Sequence, residues 1–314
     1  MSHSRTRSRR LAAAGALFLA ASIGLTACGS DSKSDTAAGS AAVPTQDVVS
    51  AIARDDRVAA LLPADVRASG ALTVGSVEAV GQAQLPHAGV ADGEQVGLDI
   101  DVANAVAKVL GVDWHREYGT FATIVPGVQN GRYQVGQANF GVTKARTEVL
   151  DFATYLNDGQ GFLGASTVDA DKIATLTDAC GYRIATTPGS TFQTLLETHA
   201  DDCAKQGKEP WTVQYFADQG PIVLGLQNGK VDLMFGPTLS LRYAAQHIPN
   251  TKFLGELTTT PVGFVTAKGS PIAPALNAAV NKLIDTGDYH RIFEKWGVTQ
   301  TEVKRSEINP SATF

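Results

Sequence analysis

Apolar and β-branched residues crowd residues 71–77, "ALTVGSV", and predict a strand. In residues 97–111, "GLDIDVANAVAKVLG", the positions Leu98, Val102, Ala105, Val106, Val109 and Leu110 recur at helical spacing. A helix is predicted there, with Asp99 placed to cap it and Gly111 to stop it. "VDWHREY" reads as a second strand, "TIVPGVQNG" as a short helix ended by Asn130-Gly131, and "YQVGQANF" as a third strand. The rhythm resumes with "GYRIATT" as a strand, one helix over residues 190–207, "WTVQYF", a helix in "GPIVLGLQNG" and a strand in "KVDLMFG". Strands alternating with helices predict an α/β fold with crossover connections.

Two stretches echo each other: "TIVPGVQNGRYQVGQANF" and "PIVLGLQNGKVDLMFG". Each sets a turn of apolar helix, then Gln-Asn-Gly and a basic residue, then a strand, which points to two similarly built halves. Beyond them "TTPVGFVTAKG" leads into a long helix over residues 271–287. The ordered part is expected to end in the amphipathic "DYHRIFEKWG", carried by Tyr289, Ile292, Phe293 and Trp296. Residues 46–70 read as a helical lead-in and residues 301–314 as a C-terminal tail.

The beginning of the chain belongs to no such pattern. A basic "MSHSRTRSRR" precedes 15 apolar residues and then small ones, the layout of an export signal and too short to span a bilayer. Leu25-Thr26-Ala27-Cys28 resembles the lipobox of bacterial lipoproteins, which implies cleavage after residue 27 and a lipid on Cys28. A plain secretory signal is the alternative. Residues 28–45 would be a polar tether, and acyl chains on Cys28 would hold the protein to the outer face of the cell membrane. Ser8-Arg9-Arg10 matches a twin-arginine signal incompletely, so the export route stays open. Loss of residues 1–27 removes four arginines and no acid, leaving 22 basic against 31 acidic side chains, a charge of −9. Such a surface argues against nucleic acid as a partner. In an exported chain Cys180 and Cys203 are expected to form a disulfide; two buried free thiols are the alternative.

Among 314 residues, 44% apolar and 18% charged, catalytic patterns are scarce. There is no Gly-x-Ser-x-Gly elbow, and "TTPGSTF" lacks the lysine of a phosphate-binding loop. The six histidines include no pair at metal-binding spacing, so neither metal nor cofactor is expected. Two features suit an anion instead. "TTPGSTFQTLL" is a Gly-Ser-Thr turn opening a helix, whose free N–H groups and hydroxyls either receive a carboxylate or simply cap that helix. In "ANFGVTKARTEVLDFATY" a strand ends in small residues before Thr143 and, three residues on, Arg146.

From residue 71 to 297 these pieces, with "GVTKARTEVLDFATY" and "GLQNGKVDLMFGP" among them, fall in the order of the extracellular solute-binding proteins of family 3, which the chain resembles. The resemblance implies a two-lobed periplasmic-binding-protein-like fold of type II. Lobe one would take residues 71–164 plus 259–300 and lobe two residues 165–258, with crossings near residues 164–166 and 258–261. It implies a monomer that binds a small carboxylate-bearing solute, a polar amino acid above all, and delivers it to the membrane permease of an ATP-driven importer. Arg146, paired with Thr143, would grip the carboxylate, and Ser190 and Thr191 would close from lobe two. Phe121 would wall the pocket or else pack in the core; Asn139 and Gly141 would meet the ligand amine. The family's aromatic after the first strand is missing from "AQLPHAGV", Gly141 stands where Ser or Thr is usual, and Pro237-Thr238 stand where an acid usually clamps the amine. Glu78 or Asp218 could take that acid's place. The alternative readings are a catalytic relative of dehydratase or lyase type on the same scaffold, or a sensor or interaction protein without a transport role.

Overall fold

A computed structural model describes residues 43–312. The signal, Cys28 and most of the tether lie outside the described residues. The lead-in forms two short helices, α1 (Asp56–Ala59) and α2 (Ala64–Ser69), before strand β1 (Ala71–Ser76). A hairpin of β2 (Gly89–Ala91) and β3 (Glu94–Val96) follows, then α3 (Leu98–Leu110), β4 (Asp113–Tyr118), α4 (Phe121–Gln129) and β5 (Val135–Gly141). The chain continues through α5 (Lys144–Val149), the long β6 (Leu150–Ala165), β7 (Arg183–Thr186), α6 (Thr191–Thr198), α7 (Asp202–Lys205), β8 (Thr212–Tyr215), α8 (Gln219–Gln227) and β9 (Leu233–Pro237). Helix α9 (Thr238–His247), the long β10 (Thr251–Ala267), α10 (Ala273–Thr286) and α11 (Asp288–Lys295) complete it.

Eight strands run in the order β4-β1-β5-β10-β6-β9-β7-β8. β1 is parallel to β4 and β5, and β7 is parallel to β8 and β9. β10 and β6 are antiparallel to each other and to their outer neighbours β5 and β9. The order β4-β1-β5-β10 is therefore matched by β8-β7-β9-β6, two equivalent half-sheets joined through the paired long strands. The sequence echo has a structural counterpart. α4 and α8 end at Asn130 and Asn228, whose side chains accept the N–H of Arg132 and Lys230 at 3.1 Å each. In both turns a later N–H returns to a helix glycine carbonyl, Tyr133 to Gly127 and Val231 to Gly225.

The core is divided accordingly. One cluster gathers Leu72, Val102, Val106, Tyr155, Phe264, Leu276 and Phe293. A satellite around Tyr133, Phe140 and Phe152 covers the other face of β5. The second half packs Phe162, Leu163, Ile184, Leu196, Leu226, Phe235 and Leu254. Phe162 and Leu163 belong to this second cluster, so the first passage between cores lies ahead of residues 164–166; the return lies between Leu254 and Val262.

The structure departs from the sequence reading at several points. Asp99 does not cap α3; Gly97 does, with φ +144°, and any Cβ there would stand 2.2 Å from the His87 carbonyl oxygen. Gly97 thus lets the preceding loop lie against the helix start. The helix expected over 190–207 is broken between α6 and α7 at His199–Asp201. The chain also stays ordered past residue 297. Phe152 donates its N–H to Asn309 Oδ1 at 2.9 Å, Thr154 donates to the Glu307 carbonyl at 3.2 Å, and Ala153 bridges Ile308. These residues occupy backbone groups of β6 that would otherwise be an open edge.

Cys180 and Cys203 are joined as a disulfide, with Cys203 fully buried in the second core. Closing a loop of 23 residues stabilises the fold by about 3 kcal/mol in the chain-entropy model. Reduction is expected to lower the urea midpoint accordingly. An unchanged midpoint with free thiols confirmed by titration would show that loop to be ordered already in the unfolded chain.

Candidate functional site

A pocket opens where the carboxyl ends of the parallel strands of both half-sheets meet, the usual place for a ligand in open α/β sheets. Ser76 closes β1, Gln137 and Asn139 lie within β5, and Phe121 begins α4 after β4; from the other half come Thr187, Ser190 and Thr191 after β7, Gln219 after β8 and Pro237 at the end of β9. Gln84, His87, Asp99, Arg116, Arg146 and Ser240 complete the polar lining.

Arg146 spans this pocket. Its Nη1 donates to the Gly141 carbonyl at 3.1 Å, and its Nη2 reaches the Gly189 carbonyl, in the turn before α6, at 3.2 Å. The guanidinium carbon lies 5.6 Å from the ring centres of both Phe121 and Phe140. Burial pushes its pKa down to about 10, and among the described residues no acid lies within salt-bridge distance of it. A cation taken out of water, stacked on two rings and left without an anion, is prepared for a carboxylate, and its fork donates two parallel hydrogen bonds.

The residues around it divide clearly. Phe121, Asn139, Ser190 and Thr191 line the same pocket. Phe121 does both things open to it, since it also packs on Phe140 at 4.8 Å. Ser190 caps α6 by accepting the Gln193 N–H at 3.2 Å, and Thr191 Oγ1 accepts from Gln160 at 3.1 Å. Thr143 lies off the pocket lining: its hydroxyl caps α5 by accepting the Arg146 N–H at 3.1 Å. Its spacing to the arginine serves to start the helix that aims Arg146. Gly141 contributes its carbonyl to Arg146, and a Cβ there would meet Thr260 Cγ2 at 2.9 Å. Gly141→Ser is therefore expected to cost about 1–3 kcal/mol of stability by overpacking, read as a lower urea midpoint; no loss would mean that Thr260 turns aside freely. Glu78 and Asp218, suggested as substitute acids, are exposed and outside the lining.

A buried cluster that sequence reasoning passed over supports the pocket floor. His87 Nε2 and Asp158 Oδ2 are 2.9 Å apart, and His87 Nδ1 is 3.5 Å from Asp99 Oδ2. Burial alone would lower the His87 pKa; the charge of Asp99 and the bond to Asp158 outweigh it and raise it to about 10. Asp158 also accepts Asn139 Nδ2 at 2.9 Å, the Gly159 N–H at 2.7 Å and the Leu239 N–H, at the start of α9, at 3.1 Å. Tyr155 donates its hydroxyl to Asp99 Oδ1 at 3.0 Å. The one available signal was position: His87 stands in "AQLPHAGV", where the ligand-facing aromatic was missing. Asn139, at φ +54°, turns at the end of β5 so that its amide meets Asp158 while its Oδ1, buried, has no partner.

Neither a metal-binding group of three His, Cys, Asp or Glu nor a helix long and apolar enough to cross a membrane occurs among the described residues.

Known proteins share this sequence pattern and fold. The arginine-binding protein ArgT of Corynebacterium glutamicum is 27% identical over 255 residues, 80% of this chain and 82% of the relative. A solved structure described as an ancestral arginine-binding protein bound to arginine is 28% identical, with a TM-score of 0.64 over 72% of this chain and 98% of that one. The ancestral amino acid-binding protein AncCDT-1, a precursor of cyclohexadienyl dehydratase, shares the fold at 24% identity, a TM-score of 0.64 and coverage of 74% and 97%. Residues 79–299 match the profile of the bacterial extracellular solute-binding proteins, family 3; across most of its length, this chain belongs to that family.

Proposed function

We propose that the protein is the substrate-binding component of an ATP-driven importer, taking a small carboxylate-bearing solute, an amino acid or a close relative, into the pocket and delivering it to a membrane permease. The observation that carries this reading is the desolvated, unpaired guanidinium of Arg146 reaching from one half of the molecule to the other. A ligand carboxylate held between Arg146 and the first turn of α6 contacts both halves only when they are together, so binding shifts the population toward the closed form. Residues 71–164 with 259–300, and 165–258, would move as lobes about the paired strands β6 and β10, with the end of β6 from Phe162 on travelling with the second lobe, whose core it joins. The permease would read the closed form, and the protein would act as a monomer without turnover.

The Leu25–Cys28 tetrad supports a lipid on Cys28 and hence a place on the outer face of the membrane. Cys28→Ala is the test of that part: release of the protein from cells supports it, and retention overturns it.

For the binding itself, protein stripped of co-purified solute by unfolding and refolding is titrated calorimetrically with amino acids and organic acids. Binding of at least one carboxylate, abolished by amidation of that carboxylate, supports the reading; silence across both sets overturns it. Recovery of the ligand unchanged after incubation with stoichiometric protein separates a binding protein from an enzyme.

A further inference from the structure

We infer that the pocket selects a ligand with two carboxylates, an acidic amino acid or a simple dicarboxylate, in which Arg146 takes one carboxylate and Arg116 the other. This rests on the solute-binding reading above and goes beyond it, and it differs from the ligand in the relatives' names.

The charges around the pocket are unbalanced. Arg116, Arg146 and His87 are cations on its lining, against Asp99 on the lining and Asp158 behind it. Both acids are committed: Asp99 to Tyr155 and His87, Asp158 to His87, Asn139 and two backbone amides. Three cations against two acids leave one positive charge, which an acidic amino acid, net −1, neutralises, while a dicarboxylate lacking the ammonium satisfies both arginines but oversteps by one charge. A ligand ending in a guanidinium would add a second uncompensated cation where no carboxylate is free to receive it.

Arg116 is built to receive an anion. It leaves the edge strand β4, crosses β1 and is held by Gln137 Oε1 at 3.1 Å and more loosely by Ser76 Oγ at 3.4 Å. Gln137 is fixed in turn, donating to the Asp99 carbonyl at 2.7 Å. Both holders are neutral, so the guanidinium is positioned without being neutralised. Its Nη2 is closed off from solvent and has no hydrogen-bond partner. Desolvation lowers its pKa, against the smaller opposing pulls of Tyr118, Asp99 and Tyr155. Two exposed arginines of the same chain do have acids, Arg132 with Glu117 at 3.1 Å and Arg183 with Asp232; others, such as Arg67 on the Ala60 carbonyl, have none among the described residues but stand in water, where an unpaired charge costs little. An orphaned donor on a desolvated cation is costly unless an acceptor arrives, and a carboxylate entering beside Arg116, once the side chain turns its covered Nη2 toward the pocket, is the acceptor that also supplies the missing charge.

The test is calorimetric titration of the stripped protein with L-glutamate, L-aspartate, 2-oxoglutarate, L-glutamine and L-arginine. The best dicarboxylate is expected to bind about 30-fold or more tighter than glutamine, the order set by one desolvated charge pair, with arginine weaker still. In Arg116→Gln, with folding checked by circular dichroism, that preference over glutamine is expected to shrink to about three-fold or less; Arg116→Lys should retain part of it. If arginine or glutamine binds as tightly as every dicarboxylate, the inference fails while the solute-binding reading stands. If none of the five binds, and no other carboxylate does, the reading beneath it fails as well. An unchanged preference in Arg116→Gln overturns the role of Arg116. Glutamate against 2-oxoglutarate decides whether an ammonium is part of what the site holds.

Discussion

Arg146→Ala is expected to weaken binding of the preferred carboxylate by roughly 30-fold to several thousand-fold, the range for truncating one partner of a buried, hydrogen-bonded charge pair. The size follows from the surroundings. The side chain is desolvated, set against the packed pair Phe121 and Phe140, and engaged only with the carbonyls of Gly141 and Gly189. Inside such a wall a point charge is less screened than at the surface, and water replacing the guanidinium restores neither its charge nor its fork. Arg146→Lys should recover part of the loss, because the charge returns but the two parallel donors do not. Titration calorimetry on variants of native circular dichroism provides the measurement. An Arg146→Ala protein that binds within three-fold of the parent would remove the ground for the proposed function, since no other unpaired cation reaches the turn before α6 among the described contacts.

Much of the fold was legible because most elements carry local signals. α3 shows its apolar stripe and ends at Gly111 in the left-handed region, as a C-cap glycine should. The Asn-Gly turns after α4 and α8 announced two equivalent half-sheets. What escaped was the pair of long strands that joins them. β6 and β10 are 16 and 17 residues long and pass from one core to the other, so neither keeps a single buried face along its length. The period-2 pattern that would betray a strand is therefore absent from "LDFATYLNDGQGFLGA". The β2–β3 hairpin did have a cue, Asp92-Gly93 at φ +52° and +83°, and would have been found by its turn chemistry.

The site divides along the same physical line. Arg146, Ser190, Thr191 and Phe121 stand beside helix starts, where sequence spacing says which way a side chain is sent. His87, Asp99, Arg116 and Asp158 come from four separate segments, and their partnership exists only through contacts between positions 12 to 71 residues apart. Asp99 shows how a local signal misleads. An acid in a first helical turn is ordinarily read as a cap or a dipole partner, yet here tertiary contacts with Tyr155 and His87 claim it.

That buried cluster yields the largest expected effect on stability. His87 holds its proton in the folded protein up to a pKa of about 10, against 6.5 for an unhindered imidazole. The groups facing it are Asp99 and Asp158, with Tyr155 and Arg116 on the far side of Asp99. Because the folded value is raised, its contribution is fully present below pH 6.5, declines as the unfolded chain sheds its proton, and is lost once pH rises through 10. His87→Gln leaves two buried carboxylates without their shared cation and is expected to cost about 3–5 kcal/mol at pH 7. Urea unfolding of parent and variant at pH 7, 8.5 and 10.5 should show the gap between them narrowing by a few kcal/mol across that series, other titrating groups cancelling in the difference. A gap that stays constant with pH would mean that His87 is neutral in the folded state. The consequence reaches the ligand, because Asp158 draws together the His87 loop, Asn139 near the end of β5 and the Leu239 amide in the first turn of α9. Once His87 loses its proton, the floor on which Asn139 is fixed loses its central ion pair, and affinity should fall over the same alkaline range as stability.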